Sequence, residues 1–190
     1  MRLLCPEPQN FSDRAREVAA AHMEADFEPL NQAQFDRLAP EYDAVMVRFS
    51  TRVGGHVMGR RSRLKAVLSP TTGVDHIDVK AARGRRVKLF HLGDQSKFLR
   101  GVNATAKLTV ALSLALMRKL PQAARAVLDG RWDVAPFRGH EVAGKTLGIV
   151  GYGRLGLKVA RTARAMEMDV LAYDVRPRRL AARGTRGGLP

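Results

Sequence analysis

The chain has 190 residues, 45% of them hydrophobic, with 33 lysines and arginines against 18 aspartates and glutamates, for a formal net charge of +15. That length holds one large domain or one and a half small ones, and a single cysteine, Cys5, excludes a disulfide framework and a cysteine-rich metal site. The basic excess raises nucleic acid as a partner, but it gathers at residues 60–65, 83–88 and 176–186 without interleaved aromatics for base stacking, and reads as solvated surface.

The opening MRLLCPEPQNF breaks into prolines after one short strand. That is not a signal-peptide pattern, no apolar run approaches the roughly 20 residues of a membrane span, and a cytoplasmic location is expected. Apolar β-prone runs at residues 2–5, 23–27, 44–49, 66–69 and 87–91 predict strands, and helical spacing predicts helices at 11–21, 31–38, 52–61 and 78–83. Asn31 is the expected cap of the second of these helices, and Asp75 and Asp78 read as a helix N-cap and its neighbour, not as catalytic acids. Gly54, Gly55 and Gly59 weaken the third helix, each at a cost of about 1 kcal/mol relative to alanine. Strands joined by helices imply right-handed crossovers and a parallel sheet covered on both faces, a flavodoxin-like arrangement.

Ligands bind at the carboxyl ends of the strands of such a sheet. Arg48 and Ser50 follow the third predicted strand, and the loop 69–78 follows the fourth. An arginine suits bidentate capture of a carboxylate, and the amides around Thr72 and Gly73 can form a small anion nest. His76 is expected to be an exposed loop histidine. Residues 97–118, with an apolar core at 102–117, predict a long helix stopped by Pro121 that packs between domains or against a second subunit; residues 122–128 predict a further helix.

Residues 144–175 organise the rest. A strand at 146–150 ends in Gly151-Tyr152-Gly153-Arg154-Leu155-Gly156, a helix follows with Leu155, Val159, Ala163 and Met166 at helical spacing, and a second strand at 168–173 closes on Asp174. In G-x-G-x-x-G the first glycine permits the tight turn, the second lets backbone approach a pyrophosphate, and the third lets helix pack on strand. The amides of Arg154 and Leu155 open the helix toward an anion. Asp174 stands where a carboxylate accepts ribose hydroxyls, which favours NAD over NADP; Arg176 and Arg178 are suited to a 2′-phosphate and work against that preference.

Taken together, VRFS, LKAVLSPTTGVDHIDVKAA, ALMRKLP, LDGRWD, GKTLGIVGYGRLGLKVA and VLAYD resemble the D-isomer-specific 2-hydroxyacid dehydrogenases, from the VRFS segment to Asp174. The resemblance implies a flavodoxin-like substrate domain (1–100), interdomain and dimerisation helices (101–143), and the first βαβ unit of a Rossmann NAD-binding domain (144–190). By matching positions it assigns Arg48, Ser50, Thr72 and Gly73 to substrate, and Gly151, Gly153, Arg154, Leu155, Gly156 and Asp174 to the cofactor. It implies a homodimer packed through the helix from Val102, and a small 2-hydroxy or 2-keto acid as substrate. The family commonly carries a glutamate where this chain has Lys107. Its catalytic arginine, acid and histidine lie downstream of the second Rossmann strand, and none of His22, His56, His76, His91 or His140 matches the last of these. The expectation is a C-terminally truncated chain that is inactive alone, or an NAD-binding or dimerising fragment without catalysis.

Overall fold

Strand β1 (Arg2–Cys5) is apolar after its first residue, and both of its faces are buried: Leu4 joins the main core, while Leu3 and Cys5 point the other way and are equally covered. A strand covered on both faces belongs inside a parallel sheet. It lies there between β2 (Glu24–Phe27) and β3 (Ala44–Met46), and the sheet continues through β4 (Ala66–Ser69) to β5 (Lys88–His91) in the order β2-β1-β3-β4-β5, all parallel. The computed structural model describes residues 1–176, and the chain divides into a unit Met1–Leu99 and a unit starting at Arg100.

Helices α1 (Asp13–His22), α2 (Gln32–Leu38) and α3 (Val79–Gly84) connect the strands. Asn31 closes a capping box with Gln34, and Asp78 accepts the Ala81 amide, so both expected caps are present. Phe35, Val45, Val47, Val67 and Val87 meet in the core.

The helix expected over 52–61 does not form. Val53 is instead extended, bridged to Ile77: its amide donates to His76 O (2.8 Å) and its carbonyl accepts from Asp78 N–H (2.9 Å). Turns then bury Val57 and Met58 beside it. A Cβ at Gly55 would lie 3.1 Å from Ala81 Cβ and one at Gly59 3.2 Å from His56 O, so these two of the glycines that weaken a helix let this coil pack closely.

In the second unit, β6 (Thr146–Val150) pairs in parallel with β7 (Asp169–Tyr173) across α7 (Arg154–Ala165). Tyr152, Ala160, Ala163, Val170 and Ala172 form its core. The predicted long helix is divided, with α4 (Ser96–Gly101) ending before α5 (Ala104–Met117) begins. The carbonyls freed at the break are satisfied by Lys158, whose Nζ donates to Arg100 O (2.7 Å) and Val102 O (3.0 Å). Pro121 does not stop this helix. The chain turns at Lys119 in the left-handed conformation (φ 52°), and Pro121 sits in the first turn of α6 (Leu120–Leu128), where a missing N–H costs nothing. Helix α5 packs against α7 and leaves Leu108, Leu112 and Leu116, one turn apart, exposed. Among the described residues no helix is long and apolar enough to cross a membrane.

Candidate functional site

The turn after β6 shows what each glycine does. Gly151 has φ +92°, a conformation L side chains rarely adopt, and its amide donates to Tyr173 O (2.8 Å), tying the turn to β7. Gly153 caps α7, and the first helical bond runs from Leu157 N–H to Gly153 O (3.0 Å). The amides of Arg154, Leu155 and Gly156 therefore have no helical partner and carry the positive end of the helix dipole. A Cβ at Gly156 would lie 2.3 Å from Gly151 O and 3.1 Å from Ile149 Cγ2, so its absence lets the helix rest directly on turn and strand. Tyr152, fully buried, accepts a bond from Arg164 Nη1 (3.4 Å) and pins the middle of the turn to the far end of the helix.

A hollow of about 490 Å³ opens at this helix start, bordered by Arg100, Gly153, Arg154, Lys158 and Arg161. Arg154 reaches Val102 O (3.4 Å), and Lys158 also bonds Asn103 Oδ1. The turn thus faces a cationic wall as well as the positive end of the α7 dipole. Asp174, half-buried after β7, accepts the Arg176 amide on Oδ1 (2.8 Å). Arg178 lies outside the described residues.

In the first unit the chain leaves β1 toward β2 on one side, and β3 lies on the other, so the carboxyl ends of β1 and β3 flank the point where the strand order reverses, the usual ligand crevice of an open sheet. Glu7, buried just after β1, stands there. Its Oε2 accepts the Arg48 amide (2.5 Å) and its Oε1 the Ser50 amide (2.9 Å), fixing the loop after β3. Burial alone would push this carboxyl up, but those amides and the hydroxyls of Ser50 and Thr51 outweigh it and hold Glu7 below the ordinary range.

The loop after β4 comes alongside. The Arg48 guanidinium carbon lies 5.8 Å from the centre of the Phe49 ring, which lies 6.4 Å from the His76 ring. Ser69 Oγ, buried, contacts Thr71 Oγ1 (2.7 Å) and His76 Nε2 (3.1 Å), and Thr71 donates to Gly73 O (2.6 Å). Among the described residues the Thr72 and Gly73 amides donate to no protein group, and both residues are exposed. His76 is therefore a partly buried, hydrogen-bonded residue and not the exposed loop histidine expected; burial lowers its pKa, against the charges of Glu7 and Asp75. Cys5 is buried, and desolvation pushes its thiol up to about 11, which leaves it unreactive. Among the described residues no His, Cys, Asp and Glu cluster could hold a metal ion.

The comparisons with known proteins bear on both units. Residues 4–129 match the D-isomer specific 2-hydroxyacid dehydrogenase catalytic domain, and residues 110–187 the NAD binding domain of the same family. The chain belongs to this dehydrogenase family. It is 38% identical over 145 residues to a D-3-phosphoglycerate dehydrogenase of Archaeoglobus fulgidus, covering 76% of this chain and 27% of that protein. With a hydroxypyruvate reductase of Thermotoga maritima it shares 31% identity over 158 residues, 83% of this chain and 48% of the relative. The crystal structure of the TT0316 protein from Thermus thermophilus superposes with a TM-score of 0.78 at 31% identity, covering 93% of this chain and 57% of that one. The chain thus spans about a quarter to a half of the curated relatives it matches.

The residues present fit the family's dinucleotide. The close seat of α7 on the turn at Gly156 and the left-handed Gly151 bring the start of α7 to the end of β6 without a side chain at either position. Within each unit the structure brings the predicted residues together: Gly151, Gly153, Arg154, Leu155, Gly156 and Asp174 at the adjacent ends of β6 and β7, and Arg48 and Ser50 beside the loop of Thr72 and Gly73. Sequence reasoning missed Glu7 and the Ser69–Thr71–His76 network. An acid between two prolines at the carboxyl end of the first parallel strand was the available signal for Glu7.

Proposed function

We propose that this chain carries the substrate-binding unit and the first βαβ unit of the cofactor-binding domain of an NAD-dependent dehydrogenase acting on a small 2-hydroxy or 2-keto acid. The observation that carries this reading is the Gly156 contact. A helix seated so that any Cβ would collide with Gly151 O presents the amides of Arg154 and Leu155 to a pyrophosphate. Gly153 leaves room for backbone to approach it, and Asp174 accepts ribose hydroxyls and repels a 2′-phosphate, so NAD is the preferred form.

In the first unit the open amides of Thr72 and Gly73 hold the substrate carboxylate, and Arg48 adds a bidentate charge-assisted contact. Ser50, held by Glu7 through amide and hydroxyl, shapes the same rim. The nicotinamide, when bound, supplies or accepts the hydride at C2 of the substrate. The residues of 1–190 bind and orient; we assign none of them the role of the family's catalytic arginine, histidine or acid, so this chain alone binds without turnover. The exposed stripe Leu108, Leu112 and Leu116 on α5 supports a homodimer through that helix.

The test is NADH-dependent reduction of hydroxypyruvate, glyoxylate and pyruvate by purified 1–190 beside a Gly153→Asp control. The expected result is no turnover above the control for any of the three acids. Turnover above it would overturn the assignment of binding without catalysis.

A further inference from the structure

The Ser69–Thr71–His76 network has an internal logic of protons. A carbonyl oxygen only accepts, so the 2.6 Å bond to Gly73 O uses the single hydroxyl proton of Thr71. In the 2.7 Å contact between the two hydroxyls, Ser69 must then be the donor. Its own proton spent, Ser69 Oγ can only accept at 3.1 Å from His76 Nε2, which must carry hydrogen. The chain of donors runs one way, from His76 through Ser69 and Thr71 to the Gly73 carbonyl, with Ser69 and Thr71 both buried.

We infer that His76 is a positioning residue: through Ser69 and Thr71 it holds the Gly73 carbonyl and so closes the turn from Thr71 to Gly73 on which the outward Thr72 and Gly73 amides lie, and it does so with Nε2 protonated. This deepens the carboxylate-binding reading of that loop and rests on it. The far side of the turn is braced independently, since Leu92 N–H donates to Thr71 O (2.9 Å) and a Cβ at Gly93 would lie 2.7 Å from Thr72 O. Main chain and hydroxyl of Thr71 are thus both engaged: the Leu92 bond orients the peptide that carries the Thr72 N–H, and the hydroxyl bond, set by Ser69 and His76, closes the turn at Gly73. The Phe49 ring, itself exposed, lies 6.4 Å from the imidazole.

The experiment uses the full chain, labelled with ¹⁵N. Long-range ¹H–¹⁵N spectra are expected to show the neutral imidazole of His76 protonated at Nε2 and bare at Nδ1. Ser69→Ala, Thr71→Val and His76→Phe, checked for cooperative melting, are expected to shift or broaden the Thr72 and Gly73 amide resonances. The same variants should weaken pyruvate binding by about 3- to 10-fold, the loss of roughly one neutral hydrogen bond. Thr71→Ser and His76→Gln, which keep a donor at the same place, are expected to preserve both. An Nδ1–H tautomer, or Thr72 and Gly73 resonances unmoved in Ser69→Ala and His76→Phe, would overturn the inference. Wild-type tautomer and amide shifts as expected with no pyruvate binding would leave the positioning role standing and remove the carboxylate reading instead.

Discussion

Replacing Gly156 by alanine adds one carbon at the point where α7 meets its own turn. That carbon would begin 2.3 Å from Gly151 O, whereas a relaxed carbon–oxygen contact is about 3.3 Å, so a retreat of about 1 Å is required. The obstacle is backbone, not the end of a flexible side chain, and Ile149 Cγ2 at 3.1 Å blocks the obvious sideways escape. Overpacking of this kind costs about 1–3 kcal/mol, offset by about 1 kcal/mol of improved helix propensity, for a net loss of up to about 2 kcal/mol. Binding suffers more. Shifting the Arg154 and Leu155 amides by about 1 Å removes two hydrogen bonds to a charged phosphate at about 1.5 kcal/mol or more each, a loss of at least about 100-fold in affinity. Fluorescence titration with NADH measures it, with Gly148→Ala as the control, since a Cβ there meets nothing within 4 Å. Gly156→Ala binding NADH within threefold of the wild type, with an unchanged melt, would refute the reasoning.

Glu7→Ala strips two loop amides of their acceptor, and leaving both unsatisfied is expected to cost about 2–5 kcal/mol, read as a lowered denaturant midpoint at constant slope. Several shifts act in the same direction on acidification, among them that of Glu7, which its loop amides hold low against its burial. His76, whose pKa burial lowers, contributes no penalty above about pH 6.5 and destabilises as pH falls below it. Asp43, held at about 2 by Lys65 Nζ (2.8 Å) and the Arg2 amide (2.9 Å), contributes stability present above its ordinary value near 3.8 and lost as pH falls toward 2. A melting series from pH 8 to pH 2 should therefore decline first through the imidazole range and again through the carboxylate range, where Glu7 and Asp43 are both lost, and His76→Gln should remove the upper decline. Leu112→Glu on the exposed stripe of α5 is expected to shift sedimentation from dimer toward monomer, with the melting cooperativity of the wild type.

Much of the fold is legible because its signals are local. The β-prone runs, the Asn31 capping box and the glycine spacing of the cofactor turn each act over a few residues, and the structure realises them. What escaped depends on partners distant in sequence. Residues 52–61 have helical periodicity, yet Val53 gains more from bridging Ile77 and burying in the core than a glycine-broken helix returns. The break before α5 is stabilised by Lys158, more than fifty residues away, which no local pattern reveals. At the site, the glycine turn and the exposed loop of Thr72 and Gly73 were legible from glycines and loop position. Glu7 and the hydroxyl chain from His76 were not, because Glu7 meets Arg48 across 41 residues and the proton order follows only from distances.

The central claim is that the second unit forms a working dinucleotide cradle, and calorimetric titration of the purified chain with NADH, run beside its thermal melt, tests it most directly. The account predicts saturable binding at one site per chain and a melting temperature that rises with NADH concentration, as linkage requires of a ligand held by the folded state. A flat isotherm with a cooperative melt indifferent to NADH would contradict it.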